Sequence, residues 1–129
     1  MVEPCDELQS GGRVLLIEER PELSATIARS LDQRGYRTLT TQSVADALAV
    51  VARGEVSLVL LSFRLFGRLG GKDFLDELRA HCPRRFLPII ALLDKSDNWH
   101  AVSSLDFEDY LPDPFPLDDL IHLVDENCR

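Results

Sequence analysis

The sequence has few basic residues. It contains 14 lysines and arginines against 22 aspartates and glutamates, which gives a formal net charge of −8 at pH 7. A surface that binds nucleic acid needs clustered Lys and Arg for its phosphate contacts. The charge balance therefore excludes a nucleic-acid surface on this segment and favours a soluble protein that avoids non-specific association.

Cysteines and long apolar runs are also scarce. The three cysteines, Cys5, Cys82 and Cys128, lack the spacing of metal ligands, which predicts free thiols in a reducing cytoplasm. No apolar run approaches the roughly 20 residues that a membrane span needs. The N-terminus lacks the basic start and apolar stretch of a signal peptide. We therefore expect a cytoplasmic protein with no membrane contact.

The apolar residues that are present fall into short, dense runs. Residues 14–17, 58–61 and 89–93 are unbroken apolar segments bounded by polar residues, which is typical of strands buried on both faces. Helical patterns separate them, and weaker strand patterns lie at residues 36–41 and 109–111. Because strands and helices alternate along one domain-sized chain, the sequence predicts a single α/β domain with a doubly wound parallel sheet.

Helix signals fill the intervals. Pro21 and the acidic residue after it favour a helix start, and a capping-box pattern begins at Ser43. Residues 63–71, rich in Gly and Arg, are predicted to form a loop, and residues 97–104 a short helix.

Each predicted strand ends in residues that could form a site. In an open parallel sheet, ligands and chemistry occur at the carboxyl ends of the strands. The residues in question are Glu18, Glu19, Ser62, Leu93 and Asp113. No Gly-rich phosphate loop follows the first strand and no nucleophile–base pair is evident, so an enzyme is not predicted.

These strand ends carry a resemblance. The segments RVLLIEERPEL, LVLLSFRLFG, LPIIALLDK and DYLPDPF resemble the successive motifs of the bacterial response-regulator receiver domain. The resemblance covers residues 13–129 and leaves residues 1–12 as a loose leader. It implies a flavodoxin-like (βα)5 fold with sheet order 2-1-3-4-5. Receivers are often followed by an output domain, so the chain is expected to be either the first domain of a longer regulator or a single-domain protein.

The resemblance also assigns roles, and this sequence departs from them. In the family, an aspartate ending strand three accepts a phosphoryl group, an acidic pair helps to hold Mg²⁺, and a hydroxyl and a Lys on strands four and five bind the phosphoryl oxygens. Ser62 stands at the acceptor position and Glu18 and Glu19 at the acidic pair. Leu93 replaces the hydroxyl, and Asp113 replaces the Lys with the opposite charge.

These changes predict that the phosphorylation chemistry is lost. A serine hydroxyl is a poor nucleophile without an adjacent base, and it cannot replace a carboxylate on Mg²⁺. Glu18 and Glu19 remain weak metal candidates, so no cofactor is expected. Close carboxylates attract a cation, which predicts an internal salt bridge at this pocket. The nearby cations are Arg20, Arg64 and Lys95.

The sequence thus predicts a pseudo-receiver that acts without phosphorylation, as a protein-interaction or dimerisation module in bacterial signalling or transcription regulation. The resemblance points to the face of the fourth helix, fifth strand and fifth helix as the interaction surface, with Trp99, Tyr110, Leu111 and residues 117–127. Tyr110 is expected to be static, and the bond before Pro114 to be cis. Two alternatives stay open: a metal or small-ligand sensor that uses the acidic pocket, and a receiver phosphorylated at another acceptor, Ser62 or Glu19.

Overall fold

A five-stranded parallel sheet forms the centre of the computed structural model, which describes residues 12–67, 69–83, 86–94, 105, 107–112 and 115–127. The strands are β1 (Arg13–Ile17), β2 (Arg37–Thr41), β3 (Val56–Ser62), β4 (Ile89–Leu93) and β5 (Asp109–Pro112). They lie in the order β2-β1-β3-β4-β5, and every neighbouring pair is parallel. The predicted fold class and the order 2-1-3-4-5 are therefore confirmed.

Five helical segments lie between or after these strands in the described part of the chain. They are α1 (Pro21–Asp32), α2 (Val44–Ala52), α3 (Phe63–Phe66), α4 (Lys72–His81) and α5 (Leu117–Asn127). Pro21 occupies the start of α1, and the Ser43 hydroxyl accepts a hydrogen bond from the backbone N–H of Asp46 at 3.3 Å, as the capping pattern predicts. None of these helices is long and apolar enough to cross a bilayer.

The loop predicted at residues 63–71 was wrong in part, since it contains α3. This helix has only four residues, too few to show a helical period. The helix predicted at residues 97–104 lies outside the described residues, as do residues 1–11.

Two apolar clusters cover the two faces of the sheet. On β3, Val59 and Leu61 pack beneath α2 and α4, while Leu58 and Leu60 pack beneath α1 and α5. Residues 58–61 are all fully buried, and β4 is buried throughout its length. The helices on both faces explain why these runs are continuously apolar instead of alternating. They also hold the carboxyl ends of the strands in fixed positions.

Candidate functional site

The register of the sheet brings three of the predicted site residues together where the central strands end. Ile17 pairs with Leu61, so Glu18 and Ser62 follow on neighbouring strands at the same level. Leu93 ends β4, the next strand along the sheet. These three residues therefore lie at the carboxyl ends of the three central strands. Asp113, Lys95 and Pro114 lie outside the described residues.

Glu18 is a buried carboxylate held by one arginine. Its side chain is 0% exposed, and that of Arg20 is 30% exposed. The Arg20 Nε donates to Glu18 Oε2 at 3.1 Å, and Nη2 donates to Oε1 at 3.0 Å. The backbone N–H of Arg20 also donates to Oε2 at 2.9 Å. This forked, charge-assisted geometry satisfies both carboxylate oxygens.

The pKa of Glu18 reflects two opposing effects. Burial of the carboxyl raises its pKa, but the hydrogen bonds and the positive charge of Arg20 together outweigh burial, so the pKa lies below its ordinary value. Glu18 is therefore ionised in the folded protein at neutral pH, and its charge is balanced within the fold.

A second arginine lies between two other strand ends. Arg64 Nε is 3.8 Å from Glu19 Oε1 and 4.0 Å from Asp94 Oδ2. The three side chains are partly exposed, so each contact is weak, although together they link the segments after β1, β3 and β4. Of the three cations predicted to neutralise the pocket, Arg20 and Arg64 do form ion pairs there.

Ser62 is a buried hydroxyl with no partner among the described residues. The residue is 0% exposed, and no hydrogen bond to Oγ is present in that part of the chain. It occupies the position before α3, but its side chain does not cap that helix. Because a hydroxyl needs an adjacent base to become a nucleophile, Ser62 is not activated by the side chains described here.

Leu93 is part of the core. It is 4% exposed and packs with the apolar cluster beneath α2 and α4. Its side chain carries no polar atom, so it offers no hydrogen bond to a ligand at the strand ends.

Tyr110 is held in place on β5. Its ring centroid lies 5.9 Å from that of Phe107 in an edge-to-face contact, and Phe107 in turn contacts Phe63 at 6.3 Å. The Tyr110 hydroxyl donates to the Leu105 carbonyl at 3.3 Å. These contacts tie the half-buried ring to the fold in this structure, and the static tyrosine stays a prediction.

The prediction that Leu111 belongs to an interaction surface was wrong for this conformation. Leu111 is 6% exposed and packs in the cluster beneath α1 and α5. Successive residues of a strand point to opposite faces, so Leu111 points beneath α5 and Tyr110 points to the other face of the sheet. Trp99, the third predicted contact residue, lies outside the described residues.

Removing the Tyr110 hydroxyl should have a small effect. We expect Tyr110→Phe to lower the free energy of unfolding by about 0.5–1 kcal/mol, because one neutral hydrogen bond is lost while the ring contacts remain. Urea unfolding at pH 7 measures this. Tyr110→Ala, which also removes the ring, is the comparison and should cost clearly more; equal losses would contradict the packing role of the ring.

A cavity of about 740 Å³ opens beside Glu18. The first turns of α1, the end of β2 and the start of α2 line it, with Ser24, Thr40 and Asp46 among the polar side chains. Within the described residues, no group of three or more His, Cys, Asp or Glu side chains is arranged to hold a metal ion. Sequence reasoning did not single out this cavity, because its lining comes from separate elements without a shared motif.

The family of the chain follows from sequence comparison. Residues 14–125 match the response regulator receiver domain family. The chain belongs to that family. This receiver domain is 32% identical over 113 residues to the transcriptional regulatory protein TcrA of Mycobacterium tuberculosis (strain ATCC 25618 / H37Rv), a match that covers 86% of this chain and 44% of TcrA.

Other relatives agree. The receiver domain is 30% identical over 111 residues to the response regulator MprA of Mycobacterium sp. (strain KMS), covering 84% of this chain and 47% of MprA. The chain thus spans less than half the length of these curated relatives. The solved receiver domain of sensor histidine kinase PA1611 from Pseudomonas aeruginosa PAO1, which has a magnesium ion in its active-site cleft, matches with a TM-score of 0.77 and 26% identity, covering 92% of this chain and 98% of that one.

Proposed function

We propose that this receiver domain works without phosphorylation, as a protein-interaction module of a transcription regulator. The matched relatives are transcriptional regulatory proteins and response regulators. The observation that carries the proposal is the state of Ser62, which the family resemblance places at the acceptor position. Its hydroxyl is fully buried and makes no hydrogen bond to a base among the described residues, so a phosphodonor can neither reach it nor find it activated.

The other strand ends support the same proposal. A magnesium ion at the carboxyl ends of the strands would need the oxygens of Glu18, but the Arg20 guanidinium donates hydrogen bonds to both of them. Glu19 faces Arg64 instead of a shared metal position. Mg²⁺ demands near-ideal octahedral geometry from oxygen ligands, and these residues do not fit it. In this proposal, Arg20 and Arg64 neutralise the carboxylates at the carboxyl ends of the strands, so no metal ion is needed there.

The interaction surface we propose runs around the β5 edge of the sheet, from the outer side of α5 on one face to the side of β5 that carries Tyr110 on the other. The exposed side of α5 has the acidic residues Asp118, Asp119 and Glu126. Such a face suits a protein partner with a basic complement. Leu111 is not part of this surface because it is buried.

The proposal predicts no phosphorylation. Incubation with acetyl phosphate and Mg²⁺ should leave the intact mass of the protein unchanged, because neither an activated nucleophile nor a metal site is present. Mass spectrometry measures this, with a receiver that retains an acceptor aspartate as the positive control. A gain of one phosphoryl group would contradict the proposal and favour a receiver phosphorylated at another acceptor.

The cavity beside Glu18 supports a second candidate function, the sensing of a small ligand. Saturable stabilisation by a ligand would identify it, since binding to the native state raises the melting temperature. Titration with Mg²⁺, Mn²⁺ and Ca²⁺ at millimolar concentration tests the metal form of this function. No shift is expected for any of them, because Arg20 holds Glu18.

A further inference from the structure

We infer that β2 is a self-association edge, where a second copy of this chain pairs antiparallel with β2 across a two-fold axis. This surface is separate from the α5 face proposed above, since β2 and β5 are the opposite edges of the sheet. The inference rests on the backbone, the exposed side chains and the charges of β2 and α2.

The backbone of β2 is open on its outer side. The Arg37 N–H donates to the Gly12 carbonyl at 3.2 Å, so residues 37, 39 and 41 direct their backbone groups toward β1. Backbone direction alternates along a strand, so Thr38 and Thr40 direct their N–H and C=O groups outward. An edge of this kind is a template for another strand unless it is protected.

The two edges of the sheet differ in protection. β5 has only four residues, and one of its two outward backbone positions is the charged Asp109, which discourages strand addition. β2 has the sequence RTLTT, which is rich in β-branched residues and contains no Pro or Lys, and its one charged residue, Arg37, directs its backbone toward β1. Its central side chain, Leu39, is 38% exposed, an unusual position for a large apolar residue in this chain. The edge at β2 is therefore the one suited to pairing.

The outward N–H and C=O groups of Thr38 and Thr40 determine the register of such a pair. Only when Leu39 lies opposite Leu39 of the second copy do Thr38 and Thr40 of each copy both find hydrogen-bonding partners within β2. That register covers the exposed leucines with each other. It also sets Thr38 opposite the second copy's Thr40, and Thr–Thr pairs are favourable across strands.

The space on both faces fits an added strand. The cavity of about 740 Å³ borders Thr40 on the α1 side, and a second cavity of about 250 Å³ borders Leu39 on the α2 side. Strand addition combines main-chain hydrogen bonds with pockets for alternate side chains, and β2 offers both.

The charges favour a second copy over an unrelated strand. Arg37 and Arg53 lie toward one end of the exposed β2–α2 side, and Asp46 lies toward the other. None of the three forms an ion pair with the described residues. A two-fold axis through Leu39 reverses one copy, so the basic end of each copy meets the acidic end of the other. The edge is thus complementary to itself.

Sedimentation velocity over a wide concentration range tests the inference. The wild type should dimerise, and Thr40→Pro should raise the dissociation constant at least about tenfold, because it removes an outward N–H without breaking a bond to β1. Thr40→Ser keeps that N–H and is the matched control. A monomeric wild type, or a dimer unaffected by Thr40→Pro, overturns the inference. The second outcome would leave the α5 face intact as the dimer surface.

Exchanging the charges of Arg37 and Asp46 gives a second test that does not depend on the Thr40→Pro substitution. Arg37→Glu and Asp46→Arg should each weaken the dimer, because each places like charges together across the axis. The double variant should recover part of the lost association, since positions 37 and 46 again carry opposite charges across the axis while Arg53 is unchanged. Failure of the double variant to recover, with an unchanged circular dichroism spectrum, overturns the proposed two-fold arrangement.

Discussion

Replacing Arg20 with alanine is expected to lower the free energy of unfolding by about 3 kcal/mol at pH 7, as is typical when one partner of a buried ion pair is removed. Glu18 has no exposed side-chain surface, so its charge cannot be solvated without a local rearrangement. Both of its oxygens would lose their guanidinium donors at once, and only the backbone N–H of residue 20 would remain on Oε2. Urea unfolding followed by circular dichroism measures the loss.

The controls separate the ion pair from general effects on α1. Arg29→Ala removes an exposed arginine from the same helix and should cost less than about 1 kcal/mol. Adding Glu18→Gln to the Arg20→Ala variant should recover part of the loss, because the uncompensated charge is gone. If Arg20→Ala and Arg29→Ala cost the same, the pair contributes little and the pocket is more hydrated than its burial indicates.

The loss of stability caused by Arg20→Ala should depend on pH. In the wild type the pKa of Glu18 lies below its ordinary value near 4.5, so the ion pair stabilises the fold fully above that value and progressively less as the pH falls below it. Without the Arg20 guanidinium, only backbone hydrogen bonds oppose the effect of burial, so the pKa of Glu18 rises relative to the wild type. The difference in stability between wild type and variant should therefore be largest at neutral pH and shrink on acidification. A difference that is constant from pH 7 to pH 4 would contradict this account.

The strands of this fold were predictable because a strand that is buried on both faces is apolar at every position. Residues 58–61 are apolar without interruption only because helices cover both sides of β3. The strand order was available only through the family resemblance, since periodicity does not specify which strands are neighbours. The helix α3 was missed because four residues carry no period.

The candidate site was predictable in position but not in its contacts. The strand-end rule located Glu18 and Ser62 correctly, because parallel strands in register place such residues side by side. The pairing of Glu18 with Arg20 depends on a side chain that folds back over two residues, which no helical or strand period encodes. The burial of Leu111, by contrast, could have been deduced, since it alternates with Tyr110 on β5.

Restoring the acceptor carboxylate should destabilise the domain instead of reactivating it. Ser62→Asp places a charge at a fully buried position beside Glu18, so we expect a loss of about 2–4 kcal/mol at pH 7, smaller at pH 4 where the new carboxyl is protonated. Ser62→Asn has the same shape without the charge and should cost less. Acetyl phosphate should still add no mass to Ser62→Asp, because Leu93 offers no hydroxyl and the carboxylate pocket remains closed by Arg20.

Removing Arg20 as well should change the response to magnesium. In the double variant Ser62→Asp with Arg20→Ala, Glu18 and the new aspartate are both available as oxygen ligands, and a divalent ion would neutralise them. At a concentration ten times the dissociation constant, Mg²⁺ should then stabilise the fold by about 1.4 kcal/mol. The wild type and the single variants should respond much less. Equal stabilisation of the wild type would show that Arg20 does not exclude the ion, whereas no response in the double variant would show that Arg20 is not what closes the site.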